Sequence, residues 1–379
     1  MSSNSPLPLI LSLPLAVGTG LAIPVQGRIT GALGAELDDG LAAAVVSFSV
    51  GLAVMATVSL VLPAGRAGIR RIAPALRERC FPRWYLLAGC LGAFMVLSQG
   101  LTVSQIGIAL FIVATVAGTS VSGLLVDRLG LGPAGRKAIT ARRIASAALT
   151  LVAVAWAASP KFSVEAGGLG LLLVLLPLAA GFLRSFQQAM NGTATVHYGT
   201  PLTATLINFA AGSAALWLAW LVKVAVAGTG NPLPSDWWYY LAGPMGCVFV
   251  VFANILVRSL GVLLAGIGMI AGQLLGSLAL DAWFPVPGSL LAPATVLGTL
   301  LAMAALLLAT VPAPRWTAGL RNRPAEQSGA RTAGQPGIGA PRWTAGLRNR
   351  PAGQPVTEAA ERSGIGAAER SGTDAMPRR

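Results

Sequence analysis

Residues 84–92 read WYLLAGCLG and residues 238–246 read WYYLAGPMG, with six of nine positions identical at a spacing of 154 residues. The same offset carries Gly107 onto Gly261, Ala117-Gly118 onto Ala271-Gly272, and Asp127 onto Asp281. Upstream of Trp84 the offset becomes 161. There Gln26 falls on Gln187, Gly31 on Gly192, Leu41 on Leu202, Phe48 on Phe209 and Gly51 on Gly212. A longer loop before Trp84 than before Trp238 explains the seven-residue change. Glycine and alanine matches are common in apolar helices; in-register matches of Trp-Tyr, Gln and Asp are not. The chain therefore reads as two related halves, 8–160 and 168–311.

The composition sets the solvent of both halves. Hydrophobic residues make up 54% and charged residues 11% of the 379, and the mean hydropathy is +0.70. A soluble domain carries about 25% charged residues, so this chain cannot cover a water-facing surface. Its apolar residues come in blocks of the length, about 20 residues, that spans a bilayer as a helix. The blocks do not alternate, which excludes a barrel of spanning strands. Ten spans are predicted: 8–30, 41–62, 84–105, 106–126, 144–159, 168–188, 202–223, 237–254, 257–280 and 289–311. The first has no basic residue before it, so it reads as a retained span rather than a cleaved signal. Abundant glycine (46 residues) suits closely packed membrane helices.

Loop charge orients the spans. Cytoplasmic loops are enriched in Lys and Arg. The loop after the second span carries Arg66, Arg70, Arg71, Arg77, Arg79 and Arg83; the loop after the fourth carries Arg128, Arg136, Lys137, Arg142 and Arg143. The first loop instead holds Glu36, Asp38 and Asp39. Both termini are thus expected in the cytoplasm. Five spans per half is an odd number, so the halves are expected to be inverted relative to one another. The expected fold is an all-α integral membrane protein of ten helices in two inverted five-helix repeats. That architecture serves secondary transporters, which bind substrate between the halves and rock to alternate access. Trp84-Tyr85 and Trp238-Tyr239 would anchor equivalent helices at opposite interfaces, where such rings prefer to lie.

The segment 312–379 is a different material, rich in Pro, Gly, Ala and Arg, with APRWTAGLRNRPA starting at Ala313 and again at Ala340. Such composition cannot bury a core and is expected to stay disordered. The formal charge of +14 sits mostly on loop and tail arginines. Its expected partner is an anionic headgroup layer; with no folded basic domain, nucleic acid is excluded. Cys80, Cys90 and Cys247 fit no metal spacing.

The half motif resembles a known family. Five-span halves with an early Gln-x-x-x-Asn, a Phe-x-x-Gly, a Trp-Tyr-x-x-x-Gly and an Ala-Gly-Gln ending in Asp are similar to the drug/metabolite transporter superfamily. The closest likeness within it is to the EamA-like, YdcZ-type inner-membrane exporters, here in a fused double-length form. In the second half Gln187, Asn191, Phe209, Gly212, Trp238, Gly243, Gln273 and Asp281 fit the motif. In the first, Thr30 replaces the Asn and Thr119 the Gln. The resemblance implies transport of a small-molecule substrate across the plasma membrane, by export, with no cofactor or metal.

Polar residues inside spans are the candidate substrate ligands. Gln26 and Thr30 sit four apart on one helical face, as do Gln187 and Asn191. Thr119, Asn208, Asn254 and Gln273 complete the set. Each could instead glue helices together by hydrogen bonds, and the sequence leaves both uses open. No acid lies deep in a span, which argues against a central carboxylate proton relay. Asp127 and Asp281 read as caps or loop residues and His197 as a loop residue. Paired catalytic acids, metal-binding and phosphate-loop patterns are missing, so no enzyme is expected. A scaffold or receptor would not need inverted halves. A homodimer stays open.

Overall fold

The computed structural model describes residues 9–133, 135–136, 138–164, 168–285 and 292–310. The tail, including its predicted disorder, lies outside the described residues, as does Lys137. Described residues form helices only: α1 (Leu9–Gly20), α2 (Ala22–Glu36), α3 (Gly40–Val61), α4 (Pro63–Arg77), α5 (Ala88–Ile106), α6 (Ile108–Leu129), α7 (Ala141–Val164), α8 (Gly168–Tyr198), α9 (Pro201–Ala227), α10 (Ala242–Trp283) and α11 (Pro293–Thr310). Single 3-10 turns at Arg83–Leu87 and Trp237–Leu241 precede α5 and α10; both copies of the repeated phrase begin there.

Among the described residues, seven helical stretches are long and apolar enough to cross a membrane: Gly40–Val61, Arg83–Ile106, Ile108–Leu129, Ala141–Pro160, Gly170–Tyr198, Pro201–Ala227 and Ala265–Trp283. Trp237–Ala253 and Pro293–Ala309 are apolar but shorter. The predicted first span is broken at Leu21, because Pro24 has no N–H to give the Gly20 carbonyl. The chain is a multi-pass membrane protein.

Although α10 is helical throughout, it is not straight. Thirty residues of straight helix cover about 45 Å. Yet a Cβ on Gly246 would meet Gln26, and one on Gly276 would meet Leu21 and Pro24, all on α2 or the residue before it. α10 is therefore strongly bent between Gly246 and Gly276. The α5–α6 connection is a true break between helices, and it is short. It consists of Gly107 alone, at φ +80°, a conformation that favours glycine.

The predicted ends of two helices fall short of the real ones. α2 runs to Glu36 rather than Thr30, and α8 to Tyr198 rather than Gln188. Residues 189–198 contain no proline, and the Thr193 and Thr195 hydroxyls donate to the Ala189 and Asn191 carbonyls within the helix. His197 is thus in the last helical turn, not in a loop, and its ring lies 5.7 Å from that of Phe81. Both helices end alike. Gly199 (φ +72°) precedes Thr200, which caps α9 by accepting the Leu202 amide. Asp38 (φ +49°) precedes Asp39, which caps α3 by accepting the Leu41 and Ala42 amides at 3.1 and 3.0 Å.

The basic segment after α3 is also not a loop. It forms α4, with Pro63 at its first turn, where a missing N–H costs nothing. Gly68 of α4 lies against Thr200 and Thr203, and Arg71 against Gly199. The buried centre of the bundle is α6, whose residues Ile108–Ala114 are at most 2% exposed, packed by α7, α8 and α11.

Candidate functional site

Where α3 meets α9, a Cβ on Gly51 would strike the Phe209 ring, and one on Gly212 the Phe48 ring. The two rings lie 5.1 Å apart. Phe48 opposite Gly212 and Gly51 opposite Phe209 means that the helices cross antiparallel. Around this crossing, close contacts come in pairs. Gly89 abuts the backbone of Asn208 and Gly212, and Gly243 that of Ser47 and Gly51. Gly92 faces the Gln187 amide, and Gly246 faces that of Gln26. Each pair obeys the offsets of 154 and 161 read from the sequence.

Beside the crossing is a cavity of about 180 Å³, whose wall includes Gln26, Ser47, Gln99, Arg184, Gln187, Asn191 and Asn208. The Asn208 side-chain carbonyl accepts from Gln187 at 2.9 Å and from Asn191 at 3.0 Å. Four predicted ligands, Gln26, Gln187, Asn191 and Asn208, are therefore brought together. At the equivalent place in the first half, the Thr30 and Ser47 hydroxyls are 3.4 Å apart. Both also donate to a carbonyl one turn back, Gln26 at 2.9 Å and Ala43 at 2.8 Å. Short hydroxyls there satisfy themselves within their own helices, whereas the longer amides of the second half reach between helices.

A second cavity, about 710 Å³, shares Arg184, Gln188, Asn191, Thr205, Phe249 and Val250 with the first. Thr119 and Gln273 line it at positions equivalent under the 154 offset. Thr119 donates to Thr115 and Gly181 carbonyls at 2.8 and 3.1 Å, so its hydroxyl also ties α6 to α8. The remaining candidate, the Asn254 side chain, lies outside the described residues.

Three carboxylates already have partners. Asp281, 3% exposed, accepts the Ile108 and Ala109 amides at 3.1 and 2.8 Å and lies 3.6 Å from Arg28. It caps α6 from another helix. Arg28 also donates to the Phe284 carbonyl. Asp127 pairs with Arg143 at 2.5 Å. Asp39 pairs with Lys223 at 2.8 Å. Burial draws the Asp39 carboxyl upward, but Lys223 and the two amides it caps outweigh this and hold it below its ordinary value.

The aromatic pairs are less alike than their sequences. Trp84 and Trp238 are exposed, at 50% and 39%. Tyr85 is buried among Phe81, Met190 and Tyr198 and donates to the Leu131 carbonyl at 3.3 Å; only its tryptophan neighbour faces outward. Two site residues escape the sequence reading. Gln99, on α5, is 1% exposed with no partner for either amide atom. Arg184 is the one charge in the predicted span 168–188, and that isolation in an apolar run was its signal.

No curated protein matches the chain well enough to count as a relative. The sequence pattern of the family described as "Putative inner membrane exporter, YdcZ" matches residues 11–156 and again residues 172–308, and the chain belongs to that family, a YdcZ-type branch of the drug/metabolite transporter superfamily.

Proposed function

We propose that the protein is a secondary transporter of the inner membrane that exports a small organic solute. In this reading ten spans form two inverted five-helix repeats, with the amide-lined cavity as the substrate site. The observation that carries it is the doubling of contacts about the α3–α9 crossing. Gly89, Gly92 and Gly212 on one side repeat Gly243, Gly246 and Gly51 on the other. Two equivalent helices that cross antiparallel within a membrane point opposite ways, which is the relation of inverted repeats. The family pattern matching twice, once per half, supports the same division.

The cavities fit one state of an alternating cycle. The larger is bounded by Arg143, Thr195, Pro201 and Ala309, beside the turn that α4 and its arginines touch. Basic segments mark the cytoplasmic side, so this cavity faces inward and both termini lie inside. At the other end the chain is shut. A Cβ on Gly34 or Gly40 would run into the Gly100 backbone, and one on Gly100 into that of Gly40. The positions equivalent to Gly34 and Gly40 are Thr195 and Pro201, on the wall of the open cavity. The state is inward-facing, with three glycines as the outer closure.

The test is a metabolite comparison between cells that make the protein, cells that lack it, and cells that make Asn208→Ala at equal membrane abundance. Transport predicts a small solute displaced from cells to medium by the wild type and retained with Asn208→Ala. Identical profiles in all three would refute the reading.

A further inference from the structure

Arg184 sits at the boundary of the two cavities and lines both. Its guanidinium carbon is 5.9 Å from the Phe249 ring centroid. Among the described residues it makes no ion pair, while Asp39, Asp127 and Asp281 are each occupied by another cation. A charge withdrawn from water inside a membrane protein needs an opposite charge or a wet cavity beside it. An aromatic face attracts a cation but does not neutralise it. Arg143, the other arginine on the larger cavity, is already held by Asp127 at 2.5 Å. Arg184 is thus a fixed positive charge aimed at a space that a solute can enter.

Gln99 is the second, independent observation. It is on the wall of the smaller cavity, 1% exposed, and both polar atoms of its amide lack a partner. An unmet buried amide is costly unless a ligand completes it. The rest of that wall includes Phe48, Met95, Val96 and Phe249, an apolar lining suited to a hydrocarbon body.

Resting on the transport reading above, we propose that the substrate is an organic oxyanion, a carboxylate or phosphate monoester on a small apolar body. Arg184 is its counter-charge and Gln99 a hydrogen-bond donor to it. Guanidinium matches such groups with two parallel hydrogen bonds. The chemistry also bears on energetics. A cell interior that is negative drives an anion outward by itself, so export of this class needs no carboxylate proton relay.

The test uses the full chain in neutral detergent and four probes of one shape: benzoate, phenyl phosphate, neutral benzamide and cationic benzylamine. Binding is read from tryptophan fluorescence titrations. Benzoate or phenyl phosphate should bind at least tenfold more tightly than benzamide, and benzylamine more weakly still; the stronger of the two anions separates carboxylate from phosphate. Arg184→Gln should remove that preference while benzamide binding stays, and Arg184→Lys should restore part of it, since Lys keeps the charge but not the fork. Thermal unfolding of each variant checks that it is folded. Anion binding unchanged by Arg184→Gln, or absent from the wild type, would overturn the proposal. Charge-blind binding that is lost in Asn208→Ala would also overturn it but leave the transport reading standing. Binding of every probe untouched by both substitutions would remove the cavity from function altogether.

Discussion

Gly100→Ala should open the outer side of the protein. A Cβ at this position lies 2.5 Å from the Gly40 carbonyl oxygen and 3.2 Å from its Cα, where ordinary contact begins near 3.4 Å. Those neighbours are backbone and cannot rotate away, so α5 and the start of α3 must part. Overpacking of this kind costs about 1–3 kcal/mol. If the glycines touch only when the outside is shut, the cost falls on the inward state alone and shifts the equilibrium by about 5–150-fold. The assay is labelling of Gln26→Cys in the cavity, with Cys80, Cys90 and Cys247 replaced by serine, using an impermeant maleimide added outside intact cells. Labelling should speed up by that factor in Gly100→Ala. It should not change in Gly18→Ala, where a Cβ meets nothing within 4 Å. An unchanged labelling rate with a lowered unfolding temperature would show that Gly100 merely packs, and the closure argument would fail.

Asn208→Ala, which strips Gln187 and Asn191 of their shared acceptor, should lower stability by only about 0.6 kcal/mol per lost bond yet abolish efflux. Ser47→Ala should be milder on efflux, because Thr30 keeps its own carbonyl partner; equal effects of the two would deny the asymmetry of the halves. Asp281→Ala leaves Arg28 without its counter-charge and two helix amides unmet, so thermal denaturation in detergent should show a loss of about 3–5 kcal/mol, with a smaller loss for Arg28→Ala; the reverse ranking would count against the cap. The depressed Asp39 carboxyl stabilises the fold at pH values above its unfolded value near 3.9, and this contribution fades as the pH falls through its lower folded value. Asp39→Asn should therefore destabilise the wild-type fold at pH 7 and lose its effect in strong acid, which melting curves across pH will check. A cysteine probe at Asp38 should react from outside and one at Arg70 should not; the opposite pattern would invert the topology.

What the sequence carried well was whatever repeats or averages. The twin phrases at Trp84 and Trp238 pointed to the paired glycine contacts at Gly89 and Gly243, since a residue needed for backbone contact in one half is needed in the other. The in-span amides Gln26, Gln187, Asn191 and Asn208 stood out against leucine and alanine and do meet at one cavity. Window averages hid the rest. Arg184 vanished in the mean of a greasy span, and Gln99 in that of α5. The ends of α2 and α8 came too early because small and polar residues lower hydropathy without breaking a helix. The arginines of Pro63–Arg77 read as a loop because their charge masks the helical spacing of the apolar residues between them. Asp281 looked like a loop or cap residue; that its carboxylate serves α6 depends on tertiary packing that no local pattern encodes.

The reach of that carboxylate has a consequence for how the protein is made. Ile108 and Ala109 are separated from Asp281 by 173 and 172 residues of chain. At about 5–20 residues per second, the ribosome finishes the α5–α6 hairpin roughly 10–30 s before its acceptor exists. During that interval the start of α6 presents bare amides, which lipid cannot satisfy. The hairpin must wait with its tip in water or against the insertion machinery, and it can settle to its final depth only when α10 arrives. The start of α6 therefore gains its carboxylate cap only once the second half is in place, a tie between the halves that forms late in synthesis.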